Sequence, residues 1–314
     1  MNFPRYVVFG EALTDFILQP DQRWIACPGG SCWNVARAGA RCGVPTAFAG
    51  TVSQDVFGDA LFSQAQQAGL DMRFMRQLPH TPLLAMVPST RPPQYFFVGD
   101  DSADLHFDPA ALPAGWMDAV EIAHFGCISL ARQPLAGRLL QVARELAAAG
   151  KRIAFDPNFR SPMADPAYRA TLVEMASMAH FIKVSDEDLT GLFPGRDVRT
   201  GLAELRRLAP RAALLLTRGA EGMTLFQDGR QSDQRVFAVD VKDTVGCGDT
   251  AMGGWMASQL LYPDADPAWH LRYAAASAAC TAAHDGAYPP SAEEVLDLMK
   301  QPLTIGTRRR EIEN

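Results

Sequence analysis

The residues that could do chemistry cluster in one short stretch, Asp243-Thr-Val-Gly-Cys-Gly-Asp-Thr250. An apolar run from 251 to 262 follows at once and predicts a helix that begins close to Asp249. A glycine-rich turn that leads into a helix presents backbone N–H groups and the positive end of the helix dipole, which together hold an anion such as phosphate. A carboxylate there is unfavourable unless it does chemistry. The simplest chemistry is to accept the proton of a hydroxyl that attacks the phosphate.

Two other interpretations of this stretch remain open. Gly246-Cys-Gly-Asp-Thr-Ala251 also matches the G-x-G-x-x-A form of a dinucleotide-binding turn. However, its acid would repel a pyrophosphate, and no convincing acidic residue ends a second strand at the spacing where a ribose contact is expected. Alternatively, the glycines only form a tight loop and Asp249 only caps a helix.

Length and composition indicate an ordinary globular protein. The chain has 314 residues, of which 48% are apolar and 20% are charged, enough for one large α/β domain or two smaller ones. The net charge of −6 argues against a general nucleic-acid surface. The one basic cluster, at 308–310, lies in a polar end, and we expect residues 304–314 to form a flexible tail.

The cysteines predict a reducing compartment. They form no C-x-x-C pair and have no histidine at metal-ligand spacing, so we expect free thiols. The apolar part of the N-terminus is too short for a signal peptide, and no stretch reaches the length of a transmembrane helix. A cytoplasmic enzyme without a membrane partner fits these features. The six cysteines are Cys27, Cys32, Cys42, Cys127, Cys247 and Cys280.

Apolar strands alternate with helical patterns along most of the chain. This alternation predicts an α/β fold with a doubly wound, mostly parallel sheet. Gly10, Asp156, Ser185 and Thr217 each follow a strand, so they should meet on the ligand-binding edge of that sheet. The predicted strands are 6–9, 45–52, 81–87, 94–98, 122–128, 152–155, 181–184 and 212–216, and the predicted helices are 34–41, 58–69, 135–149, 271–283 and 292–299.

Two segments, about 13–26 and 92–106, interrupt the alternation and contain strand-like pieces. Paired, they would form a small sheet that projects from the core as a lid; two separate surface hairpins are the alternative. We therefore expect residues 1–314 to form a single domain with this insertion. An exposed lid edge could pair two copies into a homodimer, or it could be shielded in a monomer.

Several motifs together resemble the PfkB family of ribokinase-like sugar kinases, and especially its fructokinase branch. The family's first signature is matched by Gly29-Gly30 with Asn34 and Ala36, although Ser31-Cys-Trp33 replaces the usual small residues. The resemblance covers essentially the whole chain, with its motifs in the family's order. The other matching segments are Gly50-Thr-Val-Ser-Gln-Asp55 with Gly58, Asp156-Pro-Asn-x-Arg160, Lys183-Val-Ser-Asp-Glu-Asp188 and the second signature, Asp243-Thr-x-Gly-x-Gly-Asp249.

The resemblance implies a sugar site and a catalytic base. Asp15, Gly29, Gly30 and Asn34 would bind the sugar, whereas each polar residue taken alone could be a turn or cap residue. Either Phe96 or Phe97 should point inward from the lid, since neighbouring residues of a strand face opposite ways, and Phe97 is our candidate for a sugar contact.

The implied catalytic groups lie around Asp249, which would be the general base. The backbone N–H groups of Gly246, Cys247 and Gly248 would stabilise the transferred phosphoryl group. Arg160 would clamp phosphate or a substrate oxygen with its planar fork, unless it is only a surface arginine.

The resemblance also implies ATP and metal ions. Mg²⁺ would be held chiefly by ATP oxygens, with Asp188 acting through water. K⁺ could bind beside the phosphate turn. The candidate nucleotide contacts are Asn158, Lys183, Ser185, Thr217, Gly219, Gly222, Gly246 and Gly248, and the candidate K⁺ ligands are Asp243, Val245, Gly286 and Ser291.

The predicted activity is phosphorylation of fructose to fructose 6-phosphate by ATP. 2-Keto-3-deoxygluconate kinase is the first alternative, since Arg160 could supply the cationic contact that an acid substrate needs. Ribokinase and nucleoside kinase rank below it. A non-catalytic sugar sensor and a dehydrogenase are alternatives of other classes.

Overall fold

The computed structural model describes residues 3–90 and 93–301. Position 92 and positions 304–314, where the sequence predicts part of the lid and a flexible tail, lie outside the described residues. The strands in the described part are β1 (Tyr6–Phe9), β2 (Leu13–Leu18), β3 (Trp24–Gly29), β4 (Thr46–Ser53), β5 (Met75–Leu78), β6 (Leu84–Thr90), β7 (Pro93–Val98), β8 (Ile122–Gly126), β9 (Arg152–Asp156), β10 (Phe181–Ser185), β11 (Ala213–Thr217), β12 (Met223–Gln227) and β13 (Arg230–Gln234).

Helices cover most of the chain between these strands. The α-helices are α1 (Ser31–Arg41), α2 (Val56–Gln67), α3 (Trp116–Ala119), α4 (Leu135–Ala148), α5 (Tyr168–Met178), α6 (Asp186–Leu192), α7 (Val198–Leu208), α8 (Cys247–Leu261), α9 (Pro267–Ala282) and α10 (Ala292–Met299).

The large sheet has the strand order β13-β12-β11-β10-β9-β8-β1-β4-β5. Its strands run parallel from β11 through β5, and β12 and β13 are antiparallel to their neighbours. Every residue of β1, β4 and β8 is buried, as expected for strands covered by helices on both faces. The predicted fold class, a mostly parallel α/β sheet flanked by helices, is confirmed.

The order of the strands reverses at β1, which pairs with β4 on one side and β8 on the other. The connections that leave β1 and β8 therefore diverge, and a crevice opens beyond the carboxyl ends of these two strands. Gly10 and Gly126 mark the two ends. This is the place in the fold where a ligand is expected.

Two hydrophobic layers cover the faces of the sheet. One contains side chains of α1, α8 and α9, and the other contains side chains of α4, α5 and α7. Helix α8 is buried on almost every side, which explains its continuous apolar sequence. In contrast, α4 buries only a stripe, with Leu135, Leu139, Val142 and Leu146 at helical spacing.

A second sheet has the order β3-β2-β6-β7. Strand β2 pairs antiparallel with β3 and parallel with β6, and β6 pairs antiparallel with β7. The sheet therefore includes β6, which overlaps the strand predicted over 81–87, a segment that the sequence does not assign to the lid. Residues 103–106, expected within the lid, instead form a 3₁₀ turn.

Several elements depart from the sequence prediction. The strand expected over 122–128 ends at Gly126, and a 3₁₀ turn follows. Helices α5, α6 and α7 and strands β5, β12 and β13 are not among the predicted elements. Among residues 3–90 and 93–301, no helix has both the length and the apolarity needed to cross a bilayer.

Candidate active site

Asp249 is the third residue of α8 and is buried at the base of the crevice. Its carboxylate accepts two hydrogen bonds from α1. The Ser31 hydroxyl donates to Oδ1 at 2.7 Å, and the Asn34 amide donates to Oδ2 at 2.9 Å. These two contacts fix the orientation of the carboxylate while leaving lone pairs on both oxygens for a further donor.

Burial raises the pKa of Asp249, because a charged carboxylate loses hydration inside the protein. The hydrogen bonds from Asn34 and Ser31 and the positive charges of Lys183 and Arg160 act in the opposite direction. The result is a carboxylate that is more basic than an exposed one, which suits a proton acceptor.

The turn before Asp249 needs its glycines. Gly246 caps α8 with φ 76°, and a Cβ there would lie 2.6 Å from the Cβ of Ala287. A Cβ on Gly248 would lie 3.3 Å from the Lys183 ammonium, so a cation stands close to the N-terminus of the helix. Burial raises the pKa of Cys247 to about 12, which keeps its thiol protonated. This local positive potential suits an anion.

Asp15 lies on β2 and extends over Gly29, where a Cβ would be only 2.4 Å from Oδ2. Gly30 has φ 108° and caps α1. Burial raises the pKa of Asp15 to about 7; Arg160 opposes this shift, and Asp249 adds to it. Asp15, Arg160 and Asp249 are therefore close enough for their charges to influence one another.

Arg160 is held by its own loop. Its guanidinium donates to the carbonyl oxygen of Phe159 at 2.8 Å and to that of Asn158 at 3.4 Å. It also lies over the Tyr95 ring, 5.1 Å from the centroid, and this aromatic contact comes from β7 of the small sheet. The predicted phosphate or substrate clamp is therefore partly fixed before any ligand binds.

The two phenylalanines of β7 face opposite ways. Phe97 packs against the cluster of Leu13, Leu83, Ala85, Cys127 and Ile128, whereas Phe96 is 53% exposed. Phe97 therefore lies on the inward face, on the same side of the strand as Tyr95.

A buried ion pair lies below the helix N-terminus. The Lys183 ammonium donates to Oδ2 of Asp156 at 2.8 Å, and both side chains are almost fully buried. Burial alone would lower the pKa of Lys183, but the carboxylates of Asp156 and Asp188 outweigh burial and raise it. Lys183 therefore stays a cation at the position that faces the glycine turn.

A family model for pfkB carbohydrate kinases matches residues 4–294. The chain belongs to the pfkB family of carbohydrate kinases. The functional class that the sequence predicts, a carbohydrate kinase, is therefore confirmed.

Relatives and solved structures agree with this family. The kinase is 30% identical to the fructokinase of Klebsiella pneumoniae over 80% of its own length and 82% of that protein. It superposes on the ATP-bound fructokinase of Xylella fastidiosa with a TM-score of 0.84 and 28% identity, covering 94% of this chain and 98% of the other. The aminoimidazole riboside kinase of Salmonella enterica, complexed with aminoimidazole riboside and an ATP analogue, gives a TM-score of 0.82 at 25% identity, over 94% and 99% of the two chains.

Asp188 of the kinase has both carboxylate oxygens occupied by backbone donors. The N–H of Phe159 donates to Oδ1 at 2.7 Å, and the N–H of Ser185 donates to Oδ2 at 2.8 Å. In return, the Ser185 hydroxyl accepts from the N–H of Asp188, which completes a capping box. These contacts tie the loop that carries Arg160 to the start of α6, a structural role that the sequence did not predict.

The same loop contains Asn158, whose N–H donates to Oδ1 of Asp156 at 3.1 Å. Its φ of 41° places the residue in the left-handed region that asparagine tolerates. This backbone conformation therefore restricts the positions that the side-chain amide of Asn158 can take.

The predicted nucleotide residues beyond β11 lie together at one end of that strand. Thr217 is its last residue. Gly222 has φ 91°, and a Cβ there would lie 2.3 Å from the carbonyl oxygen of Gln234. Gly219 has open space around it, with φ 48°. Protein atoms therefore crowd the turn at Gly222 and leave open space at Gly219.

Three of the four predicted cation residues come together. Asp243 accepts from the N–H of Val245 at 3.1 Å and from the N–H of Gly286 at 3.0 Å. The fourth, Ser291, caps α10 and donates its hydroxyl to Glu294 at 2.8 Å. Its side chain is therefore engaged in the helix cap.

Three residues around the site were missed at the level of sequence. Ser31 contacts Asp249, Tyr95 contacts Arg160, and the fully buried Glu11 accepts a hydrogen bond from the Ser129 hydroxyl. The position of Ser31 directly after Gly29-Gly30 was a signal, as was the shared strand face of Tyr95 and Phe97. No pattern in the sequence pointed to Glu11.

Proposed function

We propose that this kinase is an ATP-dependent fructokinase, which transfers the γ-phosphoryl group of ATP to a hydroxyl of fructose and forms fructose 6-phosphate. The observation that carries the proposal is the buried Asp249 carboxylate, oriented by Ser31 and Asn34 beside a glycine turn with Lys183 behind it. The similarity to fructokinases over most of the chain supports the choice of sugar.

Asp249 acts as the general base. It takes the proton of the sugar hydroxyl as the oxygen bonds to the γ-phosphorus and the bond to the ADP oxygen breaks. Its raised pKa strengthens proton acceptance, and the fixed orientation removes the need to order the carboxylate during the reaction.

The glycine turn and the nearby cations stabilise the transferred group. The N–H groups of Gly246, Cys247 and Gly248 form the anion hole, and the Lys183 ammonium adds positive potential behind it. Arg160, whose positive charge acts on both Asp15 and Asp249, supplies a planar donor for phosphate or a substrate oxygen.

The proposed ATP site is the turn at Thr217, Gly219 and Gly222, and the open space beside Gly219 supports it. Mg²⁺ supplies charge neutralisation of the phosphates. The occupied oxygens of Asp188 favour a Mg²⁺ held by nucleotide oxygens and water, with Asp188 acting at most through water. The grouping of Asp243, Val245 and Gly286 supports the proposed K⁺ position, whereas the hydroxyl of Ser291, the fourth predicted ligand, is used by the cap of α10.

The small sheet acts as a lid over the sugar within a single domain. Its inward face carries Asp15, Tyr95 and Phe97, so closure would shield the acceptor hydroxyl from water that could compete for the phosphoryl group. The sheet also exposes apolar side chains, among them Trp24, Ile25 and Phe96, and a homodimer through this sheet would cover them. Sedimentation of the wild type and of Phe96→Glu tests the dimer, which the charge should dissociate.

2-Keto-3-deoxygluconate kinase is the second candidate. The observation that favours it is the position of Arg160, whose charge influences Asp15 at the proposed sugar site and could pair with a substrate carboxylate.

A substrate panel tests the proposal. Initial rates of ADP release are measured with fructose, ribose, 2-keto-3-deoxygluconate and aminoimidazole riboside at equal concentrations, with ATP replaced by GTP in a parallel set. We expect the highest kcat/KM with fructose and ATP. Turnover confined to the sugar acid would reject the fructokinase assignment and retain the kinase mechanism.

A further inference from the structure

A cluster of two imidazoles and a carboxylate is formed by residues that are not part of the proposed sugar and phosphate site. His80, Asp101 and His106 each offer one ligand atom, and the three atoms lie within 4.8 Å of one another. The histidines are half-buried and the aspartate is exposed. The proposed reaction does not use these residues.

We propose that His80, Asp101 and His106 bind a divalent transition-metal ion of the zinc type. Two imidazole nitrogens with one carboxylate oxygen form a donor set that suits Zn²⁺ and its neighbours in the first transition row, whereas Mg²⁺ and Ca²⁺ prefer oxygen ligands alone. Three protein ligands leave one position of a tetrahedral ion for water.

One of the donor spacings is close to that around a bound metal ion, and the other is that of a hydrogen bond. A tetrahedral Zn²⁺ with bonds of about 2.1 Å holds its ligand atoms roughly 3.4 Å apart. Nδ1 of His80 lies 3.6 Å from Oδ2 of Asp101, and Nε2 of His106 lies 2.6 Å from Oδ1 of the same carboxylate. The ion would replace the proton that now joins His106 to Asp101.

The two rings must open slightly to converge on one ion. They are stacked with centroids 3.5 Å apart and an interplanar angle of 19°, so their lone pairs run side by side. Both donor nitrogens already face the same carboxylate, and rotation about the side-chain bonds of His80 brings them together.

The cluster joins the two chain segments that connect the β6–β7 hairpin to the large sheet. His80 precedes β6, and Asp101 and His106 follow β7. Thr81 forms a β-bridge with Ser102, and the N–H of Ala103 donates to the carbonyl oxygen of Thr81 at 2.9 Å. A metal ion there would clasp the base of the hairpin that carries Tyr95 and Phe97.

Other contacts already hold one of the two segments, 101–106, in place. The Thr51 hydroxyl of β4 donates to the carbonyl oxygen of Ala103, and Arg132 forms an ion pair with the buried Asp104. Asp101 and His106 flank this anchored turn. The ion would therefore tie the segment that carries His80 to the segment 101–106, which these contacts hold in place.

Calorimetric titration of metal-free protein with Zn²⁺ in excess Mg²⁺ tests the site. We expect one Zn²⁺ per chain in the wild type, and a dissociation constant at least about tenfold higher in Asp101→Asn and in His80→Gln. Asp100→Asn, an exposed neighbour with the same loss of charge, should bind like the wild type. Thermal melting of each metal-free variant checks that it is folded.

Hydrogen exchange gives a second readout, independent of activity. Zn²⁺ should slow exchange of the backbone amides of β6 and β7 in the wild type and in Asp100→Asn, but not in Asp101→Asn. The proposal is overturned if the wild type takes up no Zn²⁺ at millimolar metal, or if Asp101→Asn and His80→Gln bind it with unchanged affinity.

Discussion

Asp188 and Asp249 occupy the same position, the third residue of a helix, and use it differently. In α6 both carboxylate oxygens of Asp188 accept hydrogen bonds from backbone N–H groups. In α8 both oxygens of Asp249 accept side-chain donors from α1. Position on a helix therefore does not decide whether a carboxylate has a structural or a chemical role.

The residue before each helix explains the difference. Ser185 caps α6, and its backbone N–H returns a hydrogen bond to Asp188. Gly246 caps α8 in a left-handed conformation and has no side chain to complete such a box. Asp249 is therefore free to turn across the crevice toward Ser31 and Asn34.

The largest expected effect on turnover is that of Asp249→Asn. The amide cannot take the hydroxyl proton, so kcat should fall by at least about 10²-fold, the usual contribution of a general base. Steady-state rates with fructose and ATP measure the loss, and calorimetry should show that much of the sugar binding remains. Asp264→Asn, exposed beyond the far end of the same helix, is the matched control. Near-normal turnover of Asp249→Asn would refute the mechanism.

Asp15 tests whether a third carboxylate of the site binds the sugar in its charged form. Its pKa is raised to about 7 by burial, so it is ionised above that pH and neutral below it. At pH 6 only about a tenth of the side chain would be ionised, and KM for the sugar should rise by up to about tenfold between pH 8 and pH 6.

The control for this pH dependence is Asp15→Asn. It should bind the sugar weakly, with a KM that no longer changes over the same range. A wild-type KM that is flat from pH 8 to pH 6 would show that ionisation of Asp15 does not control binding.

Ser31→Ala tests how strongly the hydrogen bond from α1 lowers the pKa of Asp249. Loss of the hydroxyl removes an interaction that lowers the pKa of Asp249, so that pKa should rise further. The acid limb of the kcat profile should move to higher pH, and kcat on that limb should fall by up to about fivefold, the worth of a hydrogen bond of about 1 kcal/mol. Ser31→Thr should restore the profile if its hydroxyl reaches Oδ1. A purely structural role of Ser31 would lower stability and leave the pH profile in place.

Asp188→Asn should affect turnover least and stability most. The amide places an NH₂ group against one of two backbone N–H donors, so the free energy of unfolding should decrease by about 1–3 kcal/mol. Denaturant titration measures this change. A shifted Mg²⁺ dependence of the rate would support the water-mediated metal role. Unchanged stability with a turnover loss as large as that of Asp249→Asn would contradict the capping role.

Much of the fold could be predicted from local patterns. Strand β1 is a short apolar run before Gly10, strand β11 is an apolar run that ends on Thr217, and α4 repeats its apolar residues at helical spacing before Gly150. Helices α5, α6 and α7 escaped prediction. For α6 the reason is visible, since acidic residues fill its first turn and its seven residues are too few for a periodic pattern.

Local sequence patterns predict the glycine turn, the acid that follows it and the alternation that brings strand ends to one edge of the sheet. These features depend on residues that are close together in the chain. Tertiary structure alone decided that Asp249 faces Ser31, that Tyr95 covers Arg160 and that His80 meets His106. Ser31 and Asp249 are separated by 218 positions. Contacts of that kind depend on how helices and sheets pack, which no local pattern of residue types records.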